Sequence, residues 1–179
     1  MISDLKQNAS IIVSRECCFG IAQTYEVFES FLKNILTELL MNRTEYFYPI
    51  NKDKIMLPKS RFEVIEYVNL IQRKDRNNKK LLWFLRRISD FYKKHEMENI
   101  WNYNMANCFD MMSEIRHAII HNRQNMTIKV REVINLNKNQ EIFNKYFNKE
   151  LSDTTGIITT DRLKTGEIIH LFNQFAHLI

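Results

Sequence analysis

Apolar residues recur at intervals of three and four positions through most of the chain, which is the period of an α-helix that buries one face. The longest such pattern runs from about Asp4 to about Met41, where there is no proline and one glycine. Its apolar stripe consists of Cys18, Ile21, Tyr25, Phe28, Leu32, Ile35 and Leu39. We therefore expect a long first helix whose stripe enters the core, although the same repeat also suits pairing with a partner helix.

Three further segments show the helical period. They predict helices from about Ser60 to Arg73, from about Asn78 to His95 and from about Asn102 to Asn122. The residues expected to face inward are Phe62, Ile65, Val68, Leu70 and Ile71 in the second helix, Leu81, Leu82, Leu85, Ile88, Phe91 and Tyr92 in the third, and Met105, Cys108, Met112, Ile115 and Ile119 in the fourth. Residues 42–59 contain both prolines and predict a loop.

The pattern weakens after the fourth helix. Residues 125–148 are expected to form one or two short helices or extended pieces. Their candidate core residues are Ile128, Val130, Val133, Ile134, Ile142, Phe143 and Phe147. Thr160 or Asp161 is expected to cap a last helix that ends near Leu178. Its stripe is Ile168, Leu171, Phe172, Phe175 and Leu178.

A short β-hairpin is predicted before the last helix. Residues 149–151 and 157–159 favour strands, and the turn-forming residues 152–156 separate them. The whole pattern predicts an all-α fold, an antiparallel bundle of four to five main helices with this hairpin, in one domain over residues 1–179.

Composition agrees with a helical, water-soluble protein. Hydrophobic residues make up 45% of the chain, and only 3 Gly and 2 Pro interrupt it. No apolar run approaches the roughly 18 residues that span a bilayer, and no signal-peptide pattern is present, so we expect a cytoplasmic protein without a membrane partner. The 3 cysteines are odd in number, and Cys17 and Cys18 are adjacent, which argues against a disulfide framework.

The charge permits a polyanionic partner without requiring one. There are 26 basic and 21 acidic residues, a net charge of +5. On the predicted third helix, basic pairs recur every seven residues, namely Lys79 and Lys80, Arg86 and Arg87, and Lys93 and Lys94. On one helix they would form a ridge about 20 Å long that can follow nucleic-acid phosphates. An ordinary solvated face explains the same pattern.

The candidate chemistry lies late in the fourth helix, where a single stretch contains Arg116, His117 and His121. An arginine can hold a phosphate through a planar fork of donors, and an imidazole can transfer protons near neutral pH. Arg116 and His121 are five positions apart, which corresponds to about 140° around a helix. Both can act on one phosphate only if the helix end is distorted or a second subunit contributes.

Two other interpretations use the same residues. In the first, Arg116 forms a structural ion pair with an acidic side chain such as Glu114 or Asp110, and a histidine near the helix end interacts with the helix dipole. In the second, His117 and His121 share a face and bind a metal with Glu114. Zinc sites normally have three protein ligands and a water, and the remaining histidines show no supporting spacing, so we predict neither a metal nor a cofactor.

The motif resembles the signature of the HEPN (higher eukaryote and prokaryote nucleotide-binding) superfamily. In that signature four to six residues separate an Arg and a His, and the residue after the Arg is often Asn, Asp or His. Arg116, His117 and His121 match it, and the predicted order of helices is also similar. Arg123 stands where one toxin branch usually has Tyr, and the Gly that other branches have after the His is absent. The resemblance therefore leaves the branch open.

The resemblance implies a metal-independent endoribonuclease that acts as a homodimer with its two motifs facing each other. Arg116 and His121 would be catalytic, and His117, Asn122 and Glu114 would support them. The products would be a 2′,3′-cyclic phosphate and a 5′-hydroxyl. Arg123 and the basic pairs of the third helix would contact RNA.

A free, constitutively active ribonuclease would be toxic, so we expect a bacterial toxin or an antiphage, abortive-infection effector. An antitoxin or another protein of a defence complex would then be a partner. The main alternative is a non-catalytic HEPN module that binds RNA, a nucleotide or a partner protein. A structural or immunity-type protein that never meets RNA is a third interpretation.

Overall fold

Helices account for most of the chain. The structure, a computed structural model, describes residues 2–46, 60–74, 79–136, 139–147 and 156–179. The helices are α1 (Ile2–Asn42), α2 (Arg61–Lys74), α3 (Lys79–Ile88), α4 (Asp90–His95), α5 (Met105–His121), α6 (Ile128–Ile134), α7 (Asn139–Tyr146) and α8 (Arg162–Ala176). These ranges contain no strand, so the all-helical prediction is confirmed for them. None of their helices is both long and apolar enough to cross a membrane.

Helix α1 is the central element and packs against α8, α5, α2 and α3. Its predicted stripe is buried from Cys18 to Leu32. Beyond Leu32 the buried apolar positions are Leu36 and Leu40, whereas the predicted Ile35 and Leu39 are only partly buried. An α-helix has 3.6 residues per turn, so a stripe on a straight helix drifts away from a strict alternation of three and four.

Helix α2 has nearly its predicted bounds but a different buried face. Val64, Val68 and Ile71 are buried, while Phe62, Ile65 and Leu70 are exposed, so the prediction was wrong for these three. Positions 64, 68 and 71 form their own stripe at helical spacing, and this is the stripe that meets α1 and α3. Apolar residues occur on two sides of this helix, so composition alone does not identify the packed side.

The predicted third helix is two helices in the described residues, α3 and α4. Ser89 separates them with an extended backbone (φ −127°, ψ 109°), and its side chain accepts a hydrogen bond from the backbone N–H of Tyr92 at 3.0 Å. A serine that caps the next helix in this way ends the preceding one. Of the predicted core residues, Phe91 is exposed and Ile88 is partly buried, and the other four are buried.

Helix α5 crosses the core and has the predicted buried face. Its buried residues include all five predicted ones, Met105, Cys108, Met112, Ile115 and Ile119. Phe109, also buried, stacks on Phe28 of α1 with a centroid separation of 4.8 Å. The helix begins after Asn104, whose side chain accepts from the N–H of Asn107 at 3.1 Å. This packing fixes which faces of α5 remain available to solvent.

Helices α6, α7 and α8 complete the bundle. Five of the seven candidate core residues in 125–148 are buried, namely Val130, Ile134, Ile142, Phe143 and Phe147. Val133 is partly buried, but Ile128 is 76% exposed, so its predicted burial was wrong. Asp161 caps α8 by accepting from the N–H of Lys164 at 2.9 Å, and the stripe of α8 is buried except for the partly buried Leu178.

The predicted β-hairpin is absent from the described residues. Its first strand and most of its turn, residues 149–155, lie outside them. The second segment pairs instead with the chain just after α5. Ile158 N–H donates to the carbonyl of Gln124 at 2.8 Å, Met126 N–H donates to that of Gly156 at 2.9 Å, and Asn125 and Ile157 form an isolated antiparallel bridge. The segment before α8 therefore holds the chain at the end of α5.

Candidate functional site at the end of α5

Because one face of α5 is buried in the core, the polar residues of the motif lie at the surface. Ile115, Ala118 and Ile119 are buried, while Arg116 is partly exposed and both histidines are exposed. The helix continues through His121, and the N–H of Asn122 still donates to the carbonyl of Ala118 at 3.1 Å. The motif is therefore regular helix, and the separation of about 140° between Arg116 and His121 applies.

Arg116 forms an ion pair with Glu26 of α1, not with Glu114 or Asp110. Its Nε and Nη2 donate to the same oxygen, Oε1 of Glu26, at 3.0 and 2.6 Å. The side chains of Arg116 and Glu26 are 29% and 48% exposed. Ion pairs exposed to this degree typically contribute only about 0–1 kcal/mol. Arg116 can therefore exchange this carboxylate for another anion at small cost.

The two histidines lie side by side on the helix surface. The ring centroids of His117 and His121 are 4.8 Å apart, and the rings are tilted by 45°. Glu114 precedes His117 by three residues and is partly buried. Within the described ranges, no three or more His, Cys, Asp and Glu side chains are grouped so that they can hold a metal ion.

Arg116 and His117 open onto a groove of about 780 Å³. Its walls come from α1, α2, α5 and the chain that leads into α6, and the lining residues are Glu29, Gln72, Arg73, Ser113, Glu114, Arg116, His117, Asn122, Thr127, Ile128 and Lys129. The groove thus combines Arg116 with three residues expected to support it, His117, Asn122 and Glu114. His121 is not among the lining residues, so the fold separates the two predicted catalytic side chains.

The chain leaves α5 through two left-handed residues. Arg123 has φ 51° and Gln124 has φ 65°. Such residues are usually glycine, because a side chain is strained in this conformation by about 1 kcal/mol or more. Gln124 is buried, and its N–H donates to the carbonyl of Ala118 at 3.0 Å. The pairing with residues 156–158 holds this turn, and Arg123 is left exposed beside the motif.

The predicted basic ridge is not a continuous feature of one helix. The break at Ser89 puts Arg86 and Arg87 on α3 and the exposed Lys93 and Lys94 on α4. Arg87 lies over the ring of Trp83, with its Cζ 4.8 Å from the centroid. The side chains of Lys79 and Lys80 lie outside the described part.

Arg86 has a structural partner. Its Nη2 donates to Oε1 of Glu96 at 2.8 Å, its Nε donates to Oε2, and the hydroxyl of Tyr92 also donates to Oε1, at 2.9 Å. Glu96 is only 3% exposed. The hydrogen bond with Glu96 raises the pKa of Arg86, and burial raises that of Tyr92. Arg86 therefore neutralises a buried carboxylate.

Sequence reasoning missed four charged residues around Arg116. Glu26 pairs with it, and Glu29, Arg73 and Lys129 line the same groove. They lie on α1, α2 and α6, so no spacing in the sequence connects them to the motif, and only the packing of these helices with α5 does. Comparisons of the chain with protein-family models, curated proteins and solved structures give no match.

Proposed function

We propose that this protein is a metal-independent endoribonuclease that acts as a homodimer and cleaves RNA by attack of the 2′-hydroxyl on the adjacent phosphate. The observation that carries the proposal is the groove in which Arg116, His117 and Asn122 meet two further cations, Arg73 and Lys129. Positive charge of this kind attracts a phosphate, and the neighbouring imidazoles supply groups able to transfer protons.

The proposed reaction needs only protein groups. His121 accepts the proton of the 2′-hydroxyl, the 2′-oxygen bonds to phosphorus, the bond from phosphorus to the 5′-oxygen breaks, and the leaving 5′-oxygen takes up a proton from water or from the protonated imidazole of His121. Arg116 stabilises the charge that develops on the phosphorane oxygens, and a preorganised cation is most effective there. His117 and Asn122 orient the phosphate or the catalytic imidazole. The products are a 2′,3′-cyclic phosphate and a 5′-hydroxyl.

The geometry of α5 supports a dimer. Because the helix is regular through His121, one chain directs Arg116 and His121 to different sides. A second copy related by a two-fold axis supplies the missing group to a shared phosphate. The motif has exposed apolar neighbours suited to such an interface. Ile120 follows Arg116 by one turn and is 38% exposed, and Val27, next to Glu26, is 70% exposed.

The first test is cleavage of single-stranded RNA in EDTA. Arg116→Ala and His121→Ala should each lower the cleavage rate by at least about 100-fold, the usual effect of losing an oxyanion donor or a general base. Arg162→Ala and His170→Ala are matched controls, since both side chains are exposed on α8. Near-normal cleavage by either motif variant contradicts the proposal. A wild-type enzyme that stops in EDTA supports the metal interpretation instead.

The second test addresses the shared site. When the inactive Arg116→Ala and His121→Ala proteins are mixed, subunit exchange forms dimers with one Arg116 and one His121 intact. These dimers should recover part of the cleavage activity. Sedimentation should show that both variants remain dimers. No recovery despite demonstrated subunit exchange argues against a site built from two chains.

In the cell, we propose that such an enzyme acts as a bacterial toxin or antiphage effector restrained by an antitoxin or another protein of a defence complex. Expression of the wild type should then arrest growth, and expression of His121→Ala should not.

A non-catalytic module that binds RNA, a nucleotide or a partner protein is the second candidate. One observation favours it: in the free chain, Glu26 already neutralises Arg116. RNA binding without cleavage by the wild-type protein would decide for the module.

A further inference from the structure

We propose that the groove between α2, α5 and α6 binds the RNA backbone next to the cleaved bond, and that Arg73 and Lys129 contact its phosphates. The inference rests on the proposed function for the position of the cleaved phosphate at Arg116. It assigns a binding role to two residues outside the motif. It also moves the RNA path from the basic pairs of α3 and α4 to a different face of the bundle.

Two of the cations that line the groove are available to an anionic ligand. Arg73, at the end of α2, and Lys129, at the start of α6, are both exposed, and neither forms an ion pair with another described residue. By contrast, one carboxylate of the lining, Glu29, lies 3.3 Å from the ammonium of Lys33. Arg73 and Lys129 are therefore available for phosphate oxygens, which are the usual targets of such side chains in RNA and DNA complexes.

The other lining groups suit nucleotides. The hydroxyl oxygen of Thr127 accepts from the N–H of Val130 at 3.2 Å, so its own proton remains able to donate. Ser113 and Asn122 add a hydroxyl and an amide, and Ile128, 76% exposed, adds an apolar surface on which a base can lie. At about 780 Å³, the groove falls in the range of sites that hold whole small molecules and exceeds what one phosphate group needs.

The basic pairs of α3 and α4 are the competing surface. There Arg86 is bonded to the buried Glu96, and the break at Ser89 separates Arg87 from Lys93 and Lys94. If Arg86 leaves Glu96 to bind a phosphate, the buried carboxylate keeps the hydrogen bond from Tyr92 but loses its counter-charge, which is costly. The groove requires no such exchange at Arg73 or Lys129.

The test uses single-stranded RNA with 2′-O-methyl groups, which lacks the nucleophile and stays intact while bound. Its affinity is measured against salt concentration by fluorescence anisotropy. Arg73→Ala and Lys129→Ala should each weaken binding and reduce the slope of log K against log salt by about 0.7, the value for one phosphate contact on a single strand. Lys6→Ala and Arg162→Ala, which remove exposed cations outside the groove, should leave the slope unchanged. Arg73→Lys and Lys129→Arg should restore it.

Unchanged slopes in Arg73→Ala and Lys129→Ala overturn the inference, as does a wild-type protein that does not bind this RNA. A reduced slope in Lys93→Ala alone would return the binding surface to α4 and would also overturn it. Cleavage of unmodified RNA is measured separately. If RNA is cleaved but its binding does not depend on the groove, the proposed function stands and the inference falls. If binding depends on the groove but RNA is not cleaved, the proposed function falls and the groove remains an RNA-binding surface.

Discussion

Arg116 donates two hydrogen bonds to one oxygen of Glu26, a residue 90 positions earlier in the chain. The pair joins the motif helix to the central helix at the edge of the groove. It occupies Nε and Nη2, two donors through which an arginine can bind a phosphate. Glu26 is therefore an internal competitor for any anion that binds at Arg116.

Glu26→Gln should strengthen RNA binding. The substitution keeps the size of the side chain and removes the charge that competes with phosphate. Since the pair is exposed, the free energy of unfolding should change by less than about 1 kcal/mol. Anisotropy with 2′-O-methyl RNA and urea denaturation measure the two effects. Glu66→Gln, an exposed position on α2, is the control, and weaker binding by Glu26→Gln would show that Glu26 orients Arg116 for its ligand.

Glu96→Ala should destabilise the fold without acting on the groove. It leaves the hydroxyl of Tyr92 without its acceptor and Arg86 without its counter-charge. Arg86 is 31% exposed and can be partly solvated, so we expect a cost of about 1–3 kcal/mol. Urea denaturation measures it. Glu98→Ala, which removes an exposed carboxylate two residues away, should have little effect, and an equal loss in both variants would contradict the structural role.

Asp161→Ala should lower the unfolding free energy by about 1 kcal/mol, the usual cost of losing an N-cap. The side chain of Asp161 accepts from the N–H of Lys164 at 2.9 Å and starts α8, a helix that packs on α1. Asp161→Asn preserves an acceptor and is the matched control. Thermal unfolding that is the same for wild type and Asp161→Ala would show that the cap does not contribute.

Stability should fall above about pH 9, partly because of buried thiols. Burial raises the pKa of Cys18 from 9.0 to about 11 and that of Cys108 to about 12. Above pH 9.0 the unfolded chain loses these protons while the folded chain retains them. Each thiol then costs about 1.4 kcal/mol per pH unit until its folded pKa is reached.

Urea denaturation at about pH 8 and about pH 10 measures this loss. Cys18→Ala and Cys108→Ala should each show a smaller loss between the two pH values than the wild type, whatever their stability at the lower one. An equal loss in all three proteins would contradict the assignment.

Periodicity predicted the elements whose buried face is continuous. The bounds of α1 and the core face of α5 follow from apolar spacing alone, and cap chemistry placed the start of α8 after Thr160 or Asp161, of which the structure uses Asp161. The division at Ser89 had a local signal, a serine followed by Asp90, but the apolar spacing on both sides continues across it. The packed side of α2 had no such signal, because Phe62 and Val64 are equally apolar and only the neighbouring helices choose between them.

Contacts between helices also determine the candidate site, and there the sequence predicted even less of them. Helical spacing paired His117 with His121, whose ring centroids are 4.8 Å apart, but its separation of Arg116 from both histidines was wrong for His117, which lines the same groove as Arg116. It gave no indication of Glu26, Arg73 or Lys129, because single charges on distant helices meet only when the helices pack.

The turn at Arg123 and Gln124 makes the motif depend on sequence far downstream. The N–H of Ile158 donates to the carbonyl of Gln124, and just after the turn the N–H of Met126 donates to the carbonyl of Gly156, in a segment that leads directly into α8. A deletion that begins at residue 156 would therefore have two effects. It would remove α8, and it would remove the hydrogen bonds that support the chain beside Asn122 at the edge of the groove. Gly156 and Ile158 are buried, and of these three residues only Ile157, 50% exposed, faces solvent, so the support of the motif lies inside the fold.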